Sequence, residues 1–490
     1  MFFKSLGNKY FLLLFLIIFL GIALRILNAL SFGDFLFDEM VSLAVSNRPF
    51  GEIWSYLRVE MHPPAHFFYL SLWIKTFGNS EFIIRLSSIF LSFLFLLSSY
   101  FLSKEIFNNR KTSLFITALL SFSSYMIYWS VVGRMYIFLA LFSVLSFLFF
   151  LKIVKSKNFC FLNHFLYILF TLLALYSHLT AGIIIFIQVV FVLFFNFKFF
   201  KRIIFDWLIA ILLYLPWFIF FILNKLINIR EDAWYFVPVT FKSILLYPLK
   251  FILIGNRYIP YYFSIFLVMI IVLILINYFL KYFDKIDKDK IIIPFLIFFI
   301  SFSGLIFLHL NSFRYFIIPG IGFIFLFGYL LSLLDYKKFV NIILIVILSL
   351  LMMDSFCLNL KFKSISWSDG FNFIEQNEKE GDIIFFSHDT QMLSNMFYYK
   401  GGLETKSMSE NQEDNKIKQI INNSIYPSFP NENLDKLNKV LEKHNRIFLL
   451  ESFDFFTESQ IETREWFLEK GYSIEKEGDF NKLKVFLLSL

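Results

Sequence analysis

The sequence predicts a polytopic α-helical membrane protein with a small α/β domain at its C-terminal end. Three observations predict this. The 490 residues are 58% hydrophobic with a mean hydropathy of +0.69, more apolar than an ordinary soluble domain. Continuous apolar runs of roughly 18 or more residues recur along the first three quarters, each able to span a hydrocarbon core of roughly 30 Å. After about residue 360 charged and polar residues return and the apolar runs shorten.

The runs are continuous rather than alternating, which points to helices and not to a barrel. Expected spans are 11–30, 83–103, 112–130, 135–154, 160–178, 179–197, 203–223, 259–280, 291–309, 316–334 and 339–358. That is about eleven, with ends good to a few residues. The first run follows Lys4 and Lys9. It is long and lacks a small-x-small cleavage site, so it reads as a retained helix rather than a signal peptide. An odd count puts the termini on opposite sides. The loops with Lys104/Arg110/Lys111, Lys152/Lys155/Lys157, Lys198/Lys201/Arg202, Lys281/Lys285/Lys288/Lys290 and Lys337/Lys338 all fall on the N-terminal side. Positive charge marks that side as cytoplasmic. The expected location is the cytoplasmic (inner) membrane, with an extracytoplasmic C-terminal domain.

Two long loops, about 31–82 and 224–258, then lie outside. Each holds an apolar stretch too short or interrupted to span, His66 to Phe77 and Ser243 to Ile254. These read as interfacial helices, with Trp54, Trp73, Trp234 and Tyr235 as headgroup-level anchors. The boundaries are a membrane domain over 1–358 and a soluble domain over 359–490. In the latter, "WSDGFNFIEQNEKEGDIIFF" reads as helix, turn and strand. "HNRIFLLESF" reads as a strand. "TESQIETREWFLEKGYSIEKE" reads as a helix stopped by Gly471 and then a strand, and "KLKVFLLSL" closes the chain.

A net charge of +8 does not indicate nucleic acid, because the cations follow the inside loops and no basic stripe is interleaved with stacking aromatics. Cys160 and Cys357 are the only cysteines. They fall near opposite ends of different spans, which disfavours a disulfide and leaves no CxxC metal site. Phe supplies 73 residues, a compositional bias with no function attached. P-loop, GxGxxG, GxSxG and HExxH patterns are absent, so nucleotide, serine hydrolase and zincin readings have no motif.

The chemistry-bearing residues gather on the predicted outer face. "GDFLFDEMVSLAVSNRPF" places Asp38 and Glu39 just after the first span. A carboxylate beside a bilayer is costly unless it faces water, a partner or a ligand. On a helix the two acids would point about 100° apart, one toward a pocket and the other toward the loop. "EMHPPAHFFYL" fixes a corner with Pro63 and Pro64 and sets the angle of His62, with His66 nearby. A metal site from His62, His66 and a carboxylate has no recognised zinc spacing. "SVVGRMYIFLA" and "LHLNSFRYFIIPG" place Arg134, Tyr136, Arg314 and Tyr315 at outer mouths, with His309 just before. Guanidiniums there suit phosphate, and each taken alone also fits snorkelling to headgroups. "LYSHLTAG" adds Tyr176 and His178 at another outer turn.

This order of motifs resembles the GT-C superfamily of membrane glycosyltransferases. The nearest likeness is to glycosyltransferase family 39, the protein O-mannosyltransferase and aminoarabinose lipid A transferase branch, and its bacterial relatives. The carrying stretches are Asp38-Glu39, "RPFGEIW", "HPPAHFFYLSLWIKTFGNSEFIIRLSSI", "GRMYIFLALF", "YSHLTAG" and "FRYFIIP", over about residues 1–320; "MFYYKGG" in the tail also resembles bacterial members. The resemblance implies a sugar donor on polyprenyl phosphate and no nucleotide sugar. It implies an acceptor that is an envelope lipid, glycan or protein, and transfer outside the membrane with inversion. It implies Asp38 as general base with Glu39 supporting it, and His62, Arg134 and Arg314 on the donor phosphate. Tyr136, Tyr315 and His178 would line the cavity. Three departures stand out. Val131-Val132-Gly133 precede Arg134 with no acid, His62 stands where the aminoarabinose branch tends to have Lys, and Ala65 replaces a usual Leu. The sugar is therefore not carried over. Some relatives of the wider superfamily use a divalent cation. Its ligands here would have to be Asp38, Glu39 and His62, and no metal ligand is assigned. Two rivals share the fold-level reading. One is a transporter or flippase of lipid-linked sugars, with Asp38 as an ion site. The other is a non-catalytic assembly subunit.

Overall fold

The computed structural model describes residues 8–57, 62–225, 251, 287–310, 312–333, 363–387, 391–407, 444–452 and 457–490. Helix α1 (Asn8–Ser31) is the first apolar span. The loop after it folds into three short helices, α2 (Phe37–Ser46), α3 (Phe50–Leu57) and α4 (Ala65–Phe77). The last covers the apolar stretch of the first loop that was expected to be helical. The long α5 (Glu81–Phe107) follows, then α6 (Arg110–Phe122) and α7 (Ser124–Val131). Next come α8 (Tyr136–Lys155), α9 (Phe161–Leu175), α10 (Gly182–Phe195) and α11 (Phe200–Lys225), and then α12 (Lys288–Phe307) and α13 (Ile317–Ser332).

Among the described residues six helices are long and apolar enough to cross a membrane, or seven if a bent pair counts as one span. The chain is an integral multi-pass membrane protein. The bent pair corrects the expectation of one straight span over 112–130: α6 and α7 meet at 60°. Ser123 is the break. Its backbone is extended, and its hydroxyl accepts the Met126 N–H to cap α7. The carbonyls left open at the end of α6 are met from α1, where Arg25 donates to Leu120 O (3.3 Å) and Ser121 O (2.9 Å). In a bilayer such carbonyls need an internal partner. The spans expected at 160–178 and 179–197 are also shorter, because the chain turns at Tyr176–His178 before α10 begins. Spans 259–280 and 339–358 lie outside the described residues. So do Trp234, Tyr235 and Cys357, and the second long loop beyond Lys225 apart from Phe251.

Helix approach in lipid relies on small residues. Buried Ser88, Ser92, Ser99 and Ser103 lie along α5. Gly322 on α13 is closer still, since an added Cβ would sit 2.5 Å from the Phe298 backbone nitrogen of α12. The basic turns meet at one end of the bundle, where Lys155 pairs with Glu105 and Arg202 donates to the Ser156 carbonyl. Cys160 is exposed and free.

The C-terminal domain has helices α14 (Trp367–Asn377), α15 (Met392–Tyr398) and α16 (Thr457–Glu469). Its strands are β1 (Ile383–Phe386), β2 (Glu404–Ser407), β3 (Arg446–Ser452), β4 (Ser473–Phe480) and β5 (Leu483–Ser489). The sheet order is β2-β1-β3-β5-β4, parallel over the first three and antiparallel over the rest. Period-two alternation gives it two apolar faces. Ile384, Phe386 and Phe448 pack with Trp367 and Leu393, whereas Ile383, Phe385 and Ile447 pack with Phe467 and Tyr472. The left-handed Gly471 (φ +95°) ends α16 as the sequence predicts. Strand β2 and helix α15 were not expected.

This domain docks on the end of the bundle that holds the acidic pair. Ser364 N–H donates to Phe32 O (2.9 Å). The Tyr398 hydroxyl accepts the Phe35 N–H (2.7 Å) and donates to Glu81 Oε1 (3.0 Å). Asp34 accepts both the N–H (2.6 Å) and the hydroxyl (3.1 Å) of Ser368. Burial pushes the Asp34 carboxyl above the usual carboxylate range, and the Ser368 bonds pull it back.

Candidate active site

Asp38 and Glu39 open α2, and the helix sends them apart. Glu39 is fully buried. Its Oε2 accepts the Leu36 N–H (3.0 Å), closing the first turn as an N3 glutamate does. Arg85 of α5 grips both oxygens, Nε to Oε1 at 3.2 Å and Nη2 to Oε2 at 2.9 Å. The same guanidinium donates to Gly33 O (2.6 Å) and Asp34 O (2.8 Å). Oε1 also accepts the Gly133 N–H at 2.9 Å. Glu39 and Arg85 thus tie the first loop, α5 and the turn before α8 together. A fork-shaped, hydrogen-bonded pair of this kind tolerates burial. Gly133 has a steric reason as well, because a Cβ there would meet Ile84 Cγ2 at 2.6 Å.

Asp38 faces the other way and is 29% exposed. Arg314 Nη1 donates to its Oδ2 at 2.7 Å. Arg134 Nη2 lies 3.9 Å from Oδ1 and is held by a bond from Nη1 to Ser42 Oγ (3.0 Å). Ser42 sits one turn beyond Asp38 and donates to the Asp38 carbonyl (3.1 Å). Arg134 stands in the tight turn that opens α8, and Arg314 stands in the 3-10 turn Phe313–Phe316 that opens α13. The Asp38 carboxylate lies between two guanidiniums brought from opposite parts of the sequence.

The proline corner completes the ring. Ala65 N–H donates to Tyr176 O (2.8 Å), which presses the corner onto the turn holding His178. The His62 and His178 rings come within 5.3 Å. His178 lies 6.2 Å from Tyr136 and 5.6 Å from Tyr315, and the Arg314 guanidinium lies 5.5 Å from the Tyr315 ring. The structure brings together Asp38, His62, Arg134, Tyr136, His178, Arg314 and Tyr315, whereas Glu39 turns away to Arg85. His66 is buried against Phe67 and Phe138, within electrostatic reach of His62 and Arg134.

Sequence reasoning missed Arg85, Ser42 and the Gly133 amide. Only Arg85 carried a signal, as an arginine inside an apolar run, which calls for a named partner. A partly buried pair of His164 and Asp206 (Nδ1 to Oδ2, 2.6 Å) between α9 and α11 was also unforeseen. The residues offered for a divalent cation do not fit one. Glu39 is committed to Arg85, and Asp38 lies against two arginines. Among the described residues no group of three or more His, Cys, Asp or Glu gathers to hold a metal.

Residues 61–223 match the family described as dolichyl-phosphate-mannose-protein mannosyltransferase, about a third of the chain. The matched range contains His62, Arg134, Tyr136 and His178 but not Asp38 or Arg314. ArnT from Cupriavidus metallidurans, solved bound to undecaprenyl phosphate, superposes with a TM-score of 0.60 at 12% identity. That likeness covers 96% of this chain and 97% of ArnT. The chain has the GT-C fold. A second GT-C structure is the archaeal oligosaccharyltransferase AglB from Archaeoglobus fulgidus, in complex with an inhibitory peptide and a dolichol-phosphate. It superposes with a TM-score of 0.53 at 11% identity, over 90% of this chain and 69% of AglB. No curated protein matches the chain in sequence. At these identities the GT-C likeness fixes architecture, and what the site does has to be argued from its own residues.

Proposed function

We propose that this GT-C chain is an inverting glycosyltransferase. It moves a sugar from a polyprenyl-phosphate donor to a hydroxyl of a cell-envelope lipid, glycan or protein, on the outer face of the membrane. The observation that carries the reading is the Asp38 carboxylate held between Arg134 and Arg314 at the end of the bundle away from the basic turns. Two guanidiniums converging on one carboxylate also form a seat for a phosphate. The ArnT and AglB structures, which hold polyprenyl or dolichol phosphate, support the same donor class.

In the structure Asp38 occupies that seat. An arriving donor phosphate competes for the guanidiniums. Asp38 is then released toward the acceptor hydroxyl. It takes the hydroxyl proton as the acceptor oxygen attacks the anomeric carbon. The C–O bond to phosphate breaks on the opposite face, which inverts the configuration. Arg134, Arg314 and His62 stabilise the charge that develops on the leaving phosphate. Glu39 and Arg85 touch no substrate in this scheme, and they position Asp38.

The test is a deletion strain complemented with wild type or Asp38→Asn, followed by mass spectrometry of envelope lipid, polysaccharide and protein. Wild type should restore one sugar on one acceptor. Asp38→Asn at equal protein level should restore at most about a hundredth of it, as the loss of a general base commonly costs. Full restoration by the Asn variant would remove Asp38 from the chemistry and return weight to a transport or assembly role.

A further inference from the structure

Two buried polar atoms beside Asp38 take no part in that scheme. His178 Nε2 and the Tyr136 hydroxyl each lack a hydrogen-bond partner among the described residues. Both side chains are nearly inaccessible, 4% and 1% exposed. Buried polar groups are rarely left unpaired without a reason.

The protonation state of His178 follows from its other nitrogen. His178 caps the 3-10 turn Leu179–Ala181, and its Nδ1 accepts the Thr180 backbone N–H at 3.2 Å. An amide proton cannot be given up, so Nδ1 carries a lone pair. The ring proton therefore sits on Nε2 and the imidazole is neutral. The Thr180 hydroxyl, 2.8 Å from Nδ1, adds a second donor to the same lone pair. Nε2–H then has no capacity to take a proton as a base. It can only donate a hydrogen bond.

The surroundings say to what. Rings of His62, Tyr136 and Tyr315 surround His178 at 5.3, 6.2 and 5.6 Å, and Trp129 meets Tyr136 edge-on at 4.7 Å. Aromatic faces with a few fixed hydroxyl and N–H groups form the kind of small-ligand site that orients by placed polar atoms. Arg134 and Arg314 lie within electrostatic reach of both groups. Hydroxyl oxygens of a ligand there would accept from Nε2–H.

We propose that His178 Nε2–H and the Tyr136 hydroxyl form the subsite for ring hydroxyls of the transferred sugar. The inference rests on the lipid-linked donor reading above.

The experiment measures binding to the purified full chain in detergent. The probes are undecaprenyl phosphate without sugar and a panel of its mannosyl, glucosyl and galactosyl esters. Wild type should bind at least one of these glycosyl lipids about tenfold or more tighter than the bare phosphate. Tyr136→Phe and His178→Phe should each remove that tenfold preference while binding the bare phosphate within about twofold of wild type. Retained bare-phosphate binding shows that the variants are folded. His178→Gln, which keeps an N–H donor, should recover part of the preference. Equal losses on bare and glycosyl lipids would overturn the proposal and place the two groups on the phosphate. Wild type that binds none of these lipids would overturn the donor reading itself.

Discussion

Adjacent carboxylates meet opposite fates because a helix turns about 100° per residue. Asp38 points to Arg134 and Arg314, and Glu39 points into Arg85. Removing the Glu39 charge would leave a guanidinium buried without its counter-ion. Breaking one partner of such a pair costs about 3–5 kcal/mol. Glu39→Gln should therefore lower the thermal unfolding midpoint in detergent, and Glu39→Gln with Arg85→Met should recover part of the loss. An unchanged midpoint in the single variant would mean that the pair does not hold the loop. At this scale the sequence was informative about residue type and silent about pairing. Of eight positions marked from their motifs, seven lie around Asp38 and the two arginines, and Glu39 turns to Arg85. Arg85 was not marked, because its partner lies 46 positions away and an arginine near a span end reads equally well as snorkelling.

Among the elements, spans were legible wherever length and apolarity suffice, as in α1, α5 and α8. The break at Ser123 was not, because a bend inside a continuous apolar run leaves no mark on its hydropathy. The carbonyls it leaves open are met by Arg25, which reaches the end of α6 from another helix. Strand β2 was missed for a different reason. "ETKS" is polar and half exposed, and it pairs only because β1 offers it a parallel edge. Helix contacts were equally invisible, and Gly322 tests them. A Cβ at Gly322 meets backbone rather than a movable side chain, so α12 and α13 would have to part. Gly322→Ala should cost about 1–3 kcal/mol of stability, as overpacking does. Gly182→Ala, where a Cβ meets nothing within 4 Å, should stay within about 0.5 kcal/mol. Equal midpoints for the two variants would contradict the close approach of α12 and α13.

The whole molecule gathers basic turns at one end, and the acidic pair, the arginines and the α/β domain at the other. That domain carries its own pH dependence. Burial pushes the Glu451 carboxyl up from 4.5 to about 7, against the pull of Arg464 and Lys484. A carboxyl raised on folding is favoured while it keeps its proton. This contribution is complete below pH 4.5, falls as pH rises, and is gone above about 7. Glu451→Gln should flatten the loss of stability across that window, as measured by thermal unfolding at a series of pH values. An unchanged slope would assign the pH dependence to other groups. The central claim concerns the seat between Arg134 and Arg314, which Asp38 fills in this structure at 2.7 Å from Arg314. The most direct measurement is a cryo-EM structure of the full chain with undecaprenyl phosphate. The account predicts phosphate oxygens on both guanidiniums and Asp38 released from Arg314. A phosphate bound elsewhere, with the contact between Asp38 and Arg314 intact, would contradict it.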